Sequence, residues 1–271
     1  MAALSVASSF NECSVTSSLK KRKSIRIVAY YSDEAGSLMA LKAILFDKDG
    51  TLLDFDLTWG AAGYHVMKTI ARGDEQGFER LVDVTHYDLE TRRYRPTSEM
   101  VAGSLDEIGP LWAKALGRDD HSAVGDEINT LFMAAAPDYI VPLDDPAAIL
   151  SGLAKNGYRL GIATNDSEAA ALQQAEIMGL IPHLDFIVGH DSGHGRKPDP
   201  GMVEAFVRHT GLSPHEIALV GDSTHDLHAA RKAGAIAIAV LSGPASRDDL
   251  APHADYVINS IADLPALVAE I

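Results

Sequence analysis

From residue 42 onward, short apolar runs rich in β-branched residues alternate with stretches whose apolar positions return at helical spacing. Such alternation marks a parallel sheet joined by crossover helices, because each strand must be buried on both faces. The runs fall at 43–46, 159–163, 186–188, 217–220, 236–240 and 256–258, and the spacing predicts helices over 147–155, 168–178, 201–209, 225–233 and 261–270. Asn156 and Gly157 close the first of these helices, since glycine takes the left-handed conformation found at helix ends. One stretch breaks the pattern. Between about Leu57 and Val141 no strand is predicted, and apolar residues recur at helical spacing over 59–70, 78–89 and 123–133, so a helical insertion follows the first strand.

Residues 1–38 are Ser-rich and basic and follow neither period, and a second methionine stands at Met39. The extension 1–40 admits several readings: a disordered tail, an upstream start wrongly included, a targeting peptide of the Ser- and Arg-rich, acid-poor kind, or a binding arm. A secretory signal is disfavoured, because no positively charged start precedes a long apolar core.

Charge narrows the partners. Of the formal −15, residues 1–31 hold five basic side chains against Glu12 alone, and the rest of the chain carries −19. A balance of that sign repels nucleic acid and anionic membranes, and no apolar run approaches the roughly 18 residues that span a bilayer. With Cys13 as its one cysteine the chain can build neither an internal disulfide nor a thiolate metal cluster, which suits a reducing, cytoplasmic setting, or an organelle if residues 1–38 are a transit peptide. An anionic substrate then needs a local positive site, which a bound cation could supply.

Functional groups collect at the carboxyl ends of parallel strands, where loops converge over a crevice. The 43–46 run leads into Asp47-Lys48-Asp49-Gly50-Thr51, 159–163 into Thr164-Asn165-Asp166, 186–188 into a loop ending at Arg196-Lys197-Pro198, and 217–220 into Gly221-Asp222-Ser223-Thr224-His225-Asp226. Carboxylates crowded into one crevice repel one another unless a cation neutralises them, and an all-oxygen donor set selects Mg²⁺. Asp47, Asp222 and Asp226 are the candidate ligands, with an oxygen of Asp49 beside them. Asp47 is then a candidate nucleophile, Asp49 a candidate acid and base for the leaving group and water, and Thr164, Asn165 and Lys197 candidate partners of a phosphoryl group. Gly50 lets the chain turn away, and the Thr51 hydroxyl is expected to hold that turn. Either acid pair alone would more often be a turn or a helix cap; four polar clusters that each directly follow a strand change that balance.

These motifs resemble those of the haloacid dehalogenase superfamily of hydrolases: Asp47 to Thr51 its first, Thr164 its second, Lys197-Pro198 its third and Gly221 to Asp226 its fourth. The resemblance covers about 41–271. It implies an α/β fold, a Rossmann-like parallel sheet core (41–56 and 143–271) with an inserted all-helical cap domain (57–142). It further implies a Mg²⁺-dependent phosphatase that hydrolyses a small phosphorylated metabolite through an aspartyl-phosphate. Asp49 is the residue that phosphatases and mutases carry and dehalogenases lack. Phosphoglycolate is the first substrate to try, a sugar phosphate the next. A phosphomutase of β-phosphoglucomutase type and a non-catalytic phosphate-binding protein are the alternatives, as a monomer or a homodimer. Lys48 stands where an apolar residue is usual, and Asp54-Phe55-Asp56 departs from the pattern after the first motif.

Within the insertion, Arg92, Arg93 and Arg95 could hold a second anionic group of the substrate, although arginines there more often pair with acids such as Glu90 and Glu99. His190, His194, His225 and His228 lack the spacing of a zinc or copper site. Trp59 and Trp112 are expected to pack the insertion, Trp59 with the option of lining its entrance.

Overall fold

In the computed structural model, which describes residues 40–95, 97–102 and 105–271, strand β1 (Ala43–Phe46) lies at the centre of a six-stranded parallel sheet. The remaining strands are β4 (Arg159–Ala163), β5 (Phe186–Val188), β6 (Ile217–Gly221), β7 (Ile236–Val240) and β8 (Tyr256–Ile258), in the spatial order β5-β4-β1-β6-β7-β8. The readings of residues 1–38 lie outside the described residues.

Strand side chains alternate between two apolar clusters. Ile44, Phe46, Leu160, Ile162, Ala218 and Val220 enter one, while Ala43, Leu45, Ala163, Ile217 and Leu219 enter the other. Burial on both faces is what the unbroken apolar runs require. Helices α6 (Pro146–Lys155), α7 (Glu168–Ile177), α8 (Gly201–Thr210), α9 (Thr224–Ala233), α10 (Arg247–Leu250) and α11 (Leu264–Val268) complete the sheet part. Their ends follow local chemistry: Asp145 accepts from Ala148 N at 3.0 Å ahead of Pro146, and Gly211 and Gly234 close α8 and α9 at φ of 71° and 76°.

Between β1 and β4 run α1 (Phe55–Ile70), α2 (Glu75–Val84), α3 (Glu99–Ala102), α4 (Leu105–Ala115) and α5 (His121–Tyr139). The chain leaves and re-enters the sheet side by side, with Asp54 N donating to Val141 O at 2.8 Å and Leu143 N to Leu52 O at 3.0 Å. The apolar cluster on one sheet face continues into this insertion through Val66, Leu81, Trp112 and Ile128. No helix among the described residues is long and apolar enough to cross a membrane.

The expectation of a strand-free insertion needs correction. The helix read over 78–89 stops at Val84, and β2 (Tyr87–Asp88) pairs antiparallel with β3 (Arg93–Tyr94). Its physical cause is aromatic: Tyr87 and Tyr94 sit opposite each other, both buried, with rings edge to face at 5.0 Å, and the Tyr87 hydroxyl donates to Gly60 O at 2.7 Å. Helix α4 falls outside the three helical stretches read in the insertion, and it contains Gly109 and Pro110, residues of low helix propensity. Packing overrides that local preference. A Cβ at Gly109 would lie 3.2 Å from Gly125 Cα, so the glycine permits close approach of α4 to α5.

Candidate active site

Because β1 pairs with β4 on one side and β6 on the other, Asp47, Thr164 and Asp222 leave the sheet from adjacent strand ends. Asp47 N donates to Val220 O at 2.8 Å and Thr164 N to Val188 O at 3.1 Å, so both residues are held as extensions of their strands. Lys197 arrives from the loop after β5. Asn165 clamps that loop, with Nδ2 donating to Lys197 O at 3.0 Å and Oδ1 accepting from Lys197 N at 2.9 Å.

Lys197 joins the two acid pairs. Its buried ammonium lies 2.5 Å from Asp47 Oδ1 and 2.6 Å from Asp226 Oδ1. The other oxygen of Asp226 accepts from Ser223 N at 3.1 Å and Ser223 Oγ at 2.6 Å, the capping box that starts α9. Among the described residues, one group of His, Cys, Asp or Glu converges as metal ligands would: Asp47, Asp222 and Asp226, with ligand atoms within 4.8 Å of one another. The donors are hard, anionic and buried, which fits a divalent cation of the Mg²⁺ kind.

Burial pushes the Asp47 carboxyl up to about 7; Lys197 pulls against the rise while Asp226 and Asp49 add to it. Asp222 is held well above the ordinary carboxylate range by burial and then by the charges of Asp47 and Asp226. Burial works against the charge on Lys197, but Asp226 and Asp47 outweigh it and keep the ammonium protonated. These acids carry charge at a cost that one amine does not remove.

Lys48 is a residue whose role the sequence did not disclose. It is fully buried, its ammonium 2.6 Å from Asp49 Oδ2, 3.2 Å from Asp166 Oδ2 and 5.2 Å from the centre of the Trp59 ring. The Trp59 indole N–H donates to the other oxygen of Asp49. Helix α1 thus touches the candidate acid directly. Only the odd polarity of Lys48 after an apolar strand could have signalled this. Gly243, after β7, is a second omission: a Cβ there would overlap the Asp222 carboxylate.

Thr51 and the three arginines lie apart from the partners expected for them. Thr51 Oγ1 is buried with no partner among the described residues, and the turn is closed instead by Leu52 N donating to Lys48 O at 2.8 Å, with Gly50 at φ 72°. The arginines are not brought to the acids. Arg92 stacks 3.5 Å over the Tyr64 ring, Arg93 reaches Asp56 at 3.3 Å, and none of Arg92, Arg93 and Arg95 lines the cavity above Asp47. Their positions follow the β2–β3 hairpin. His225 borders that cavity, and His228 lies 3.3 Å from His253.

Four carboxylates, a threonine hydroxyl and a buried ammonium thus gather at the carboxyl ends of neighbouring parallel strands, the place where enzymes of the α/β class carry their sites. The family model for haloacid dehalogenase-like hydrolases matches residues 41–234. The chain is 31% identical to the phosphoglycolate phosphatase of Chromobacterium violaceum, over 84% of this chain and 96% of that protein. It is 28% identical to the pyrophosphatase PpaX of Bacillus velezensis, over 82% of this chain and 94% of the other. Among solved structures, a phosphate complex of CbbY from Rhodobacter sphaeroides superposes with a TM-score of 0.62 at 20% identity, covering 85% of this chain and all of that one. The chain belongs to the phosphatases of the haloacid dehalogenase-like hydrolase family.

Proposed function

We propose that this protein hydrolyses a phosphate monoester with Mg²⁺ and forms an aspartyl-phosphate on Asp47. The observation that carries the reading is the meeting of Asp47, Asp222 and Asp226 within 4.8 Å, with Lys197 between them and Asp49 beside them.

Asp47 Oδ attacks phosphorus and the ester P–O bond breaks, with Asp49 giving its proton to the departing alkoxide. Asp49 then removes a proton from water, whose oxygen attacks phosphorus and releases phosphate, restoring the Asp47 carboxylate. The hydroxyl of Thr164 and the ammonium of Lys197 meet the charge on the phosphoryl oxygens. Asp47, Asp222 and Asp226 would hold Mg²⁺, with the main-chain oxygen of Asp49 as a further donor; when bound, the cation offsets repulsion between the acids and the incoming phosphate. Asp226 is the most committed of the three, since Lys197 and Ser223 already occupy it. The names of the relatives make phosphoglycolate and pyrophosphate the natural first compounds, and a cytoplasmic enzyme of metabolite phosphates is the corresponding setting.

A panel of phosphate monoesters, assayed with and without Mg²⁺ on wild type and Asp47→Asn, tests this. Expected are metal-dependent phosphate release, no turnover in the variant, an unchanged far-ultraviolet spectrum, and trapping by beryllium fluoride in wild type alone. Undiminished turnover by Asp47→Asn would refute the nucleophile. An isomerised sugar phosphate without free phosphate would instead mark a mutase, and binding without any release a non-catalytic protein.

A further inference from the structure

The cavity above Asp47 measures about 530 Å³, well within the range of ligand sites, and its two ends differ in chemistry. At the floor stand the acids, Thr164 and Lys197. Above them the wall is apolar: Trp59 from α1, Met100 and Val101 from α3, Ile108 from α4, and Phe132 and Met133 from α5. Asn129 and Gln174 bring neutral amides, and the rest of the polar lining is neutral or acidic save Lys197 and the imidazole of His225.

Positive charge is scarce here. Among the described residues that line the cavity, Lys197 is the one lysine and no arginine occurs, and Lys197 is already bound to Asp47 and Asp226. Arg92 and Arg93, the residues that might have received a second anion, are engaged by Tyr64 and Asp56. A carboxylate or second phosphate placed against this wall would lose its water without gaining a partner, whereas an apolar group gains from the same burial.

We infer that the organic part of the substrate is uncharged and largely apolar, aromatic or branched, so the preferred substrate is the phosphate ester of an apolar alcohol. This rests on the phosphatase reading and deepens it, since it sets the chain apart from relatives named for phosphoglycolate and pyrophosphate.

The test compares kcat/KM for 2-phenylethyl phosphate and phosphoglycolate on the full-length protein with Mg²⁺. Both are primary alkyl esters, so leaving-group reactivity differs little. The phenylethyl ester is expected to be favoured on the order of 10- to 100-fold. In Met133→Arg, which adds a cation to a half-buried position of the wall, the preference should fall by about tenfold, chiefly through a lower KM for phosphoglycolate. Equal or better use of phosphoglycolate by wild type, or a ratio unmoved by Met133→Arg, would overturn the inference and leave the phosphatase standing. Failure to release phosphate from either ester or from 4-nitrophenyl phosphate would overturn both.

Discussion

A lysine with no exposed surface is expensive to bury unless anions meet it, and Lys48 is met by Asp49 and Asp166 from two different loops. Burial opposes its charge, yet Asp49 and then Asp166 hold its ammonium more firmly protonated than a free lysine. The consequence for chemistry is geometric. Asp49 has one oxygen on Lys48 and the other on the Trp59 indole, so neither rotamer freedom nor solvent decides where the acid points. Lys48→Met keeps the volume and removes the cation. Turnover is expected to fall on the order of 10- to 100-fold with KM little changed, at a stability cost of roughly 1–3 kcal/mol, since Asp49 and Asp166 reach water. Steady-state kinetics and urea unfolding measure the two effects separately. A lower KM-specific affinity with unchanged kcat would place Lys48 outside the acid's support.

At the scale of elements, helix α9 links folding to the site. Ser223 and Asp226 cap its first turn reciprocally, and the same Asp226 reaches back to Lys197. Ser223→Ala should cost about 1 kcal/mol, seen as a melting temperature lower by roughly 2–4 °C in a chain of this size. It should also reduce kcat, because Asp226 loses the Ser223 hydroxyl and is left with the Ser223 N–H and the Lys197 ammonium to orient it. Loss of stability without loss of turnover would show the cap and the site to be independent. Helix α1 supplies the corresponding link on the other side, through Trp59, whose ring also packs edge to face on Phe132 of α5 at 5.7 Å. The indole therefore belongs at once to the insertion's packing, to the cavity wall and to the support of Asp49.

For the whole molecule, the acid cluster sets how stability depends on pH and metal. A carboxyl whose folded-state value is raised, as Asp47 is from 3.8 to about 7, binds its proton more tightly folded than unfolded. Its contribution is present below the unfolded value and is lost as pH rises through the folded one. Asp222 shifts the same way. Metal-free protein should therefore lose melting temperature between pH 5 and pH 8 from these groups, and Mg²⁺, which competes with the protons, should restore more at pH 8 than at pH 5. Thermal melts in EDTA and in Mg²⁺ at both values make the comparison. An equal gain at the two pH values would remove the cluster from the metal site.

Periodicity carried most of the architecture. Strand burial on two faces depends on each run's own composition, so β1, β4, β5, β7 and β8 match their sequence readings, and β6 gains only Gly221. Polar clusters after strands were legible for the same local reason. The β2–β3 hairpin was not, because two tyrosines stabilise it by meeting each other, and neither signals this alone. Helix α4 escaped because Gly109 is explained by Gly125 on a different element. Which acids meet, that Lys48 holds Asp49, and that the wall over the site is apolar are all facts of juxtaposition. A sequence specifies what each segment buries; the partner against which it is buried, and so the charge a cavity offers, is decided only when distant segments close on one another.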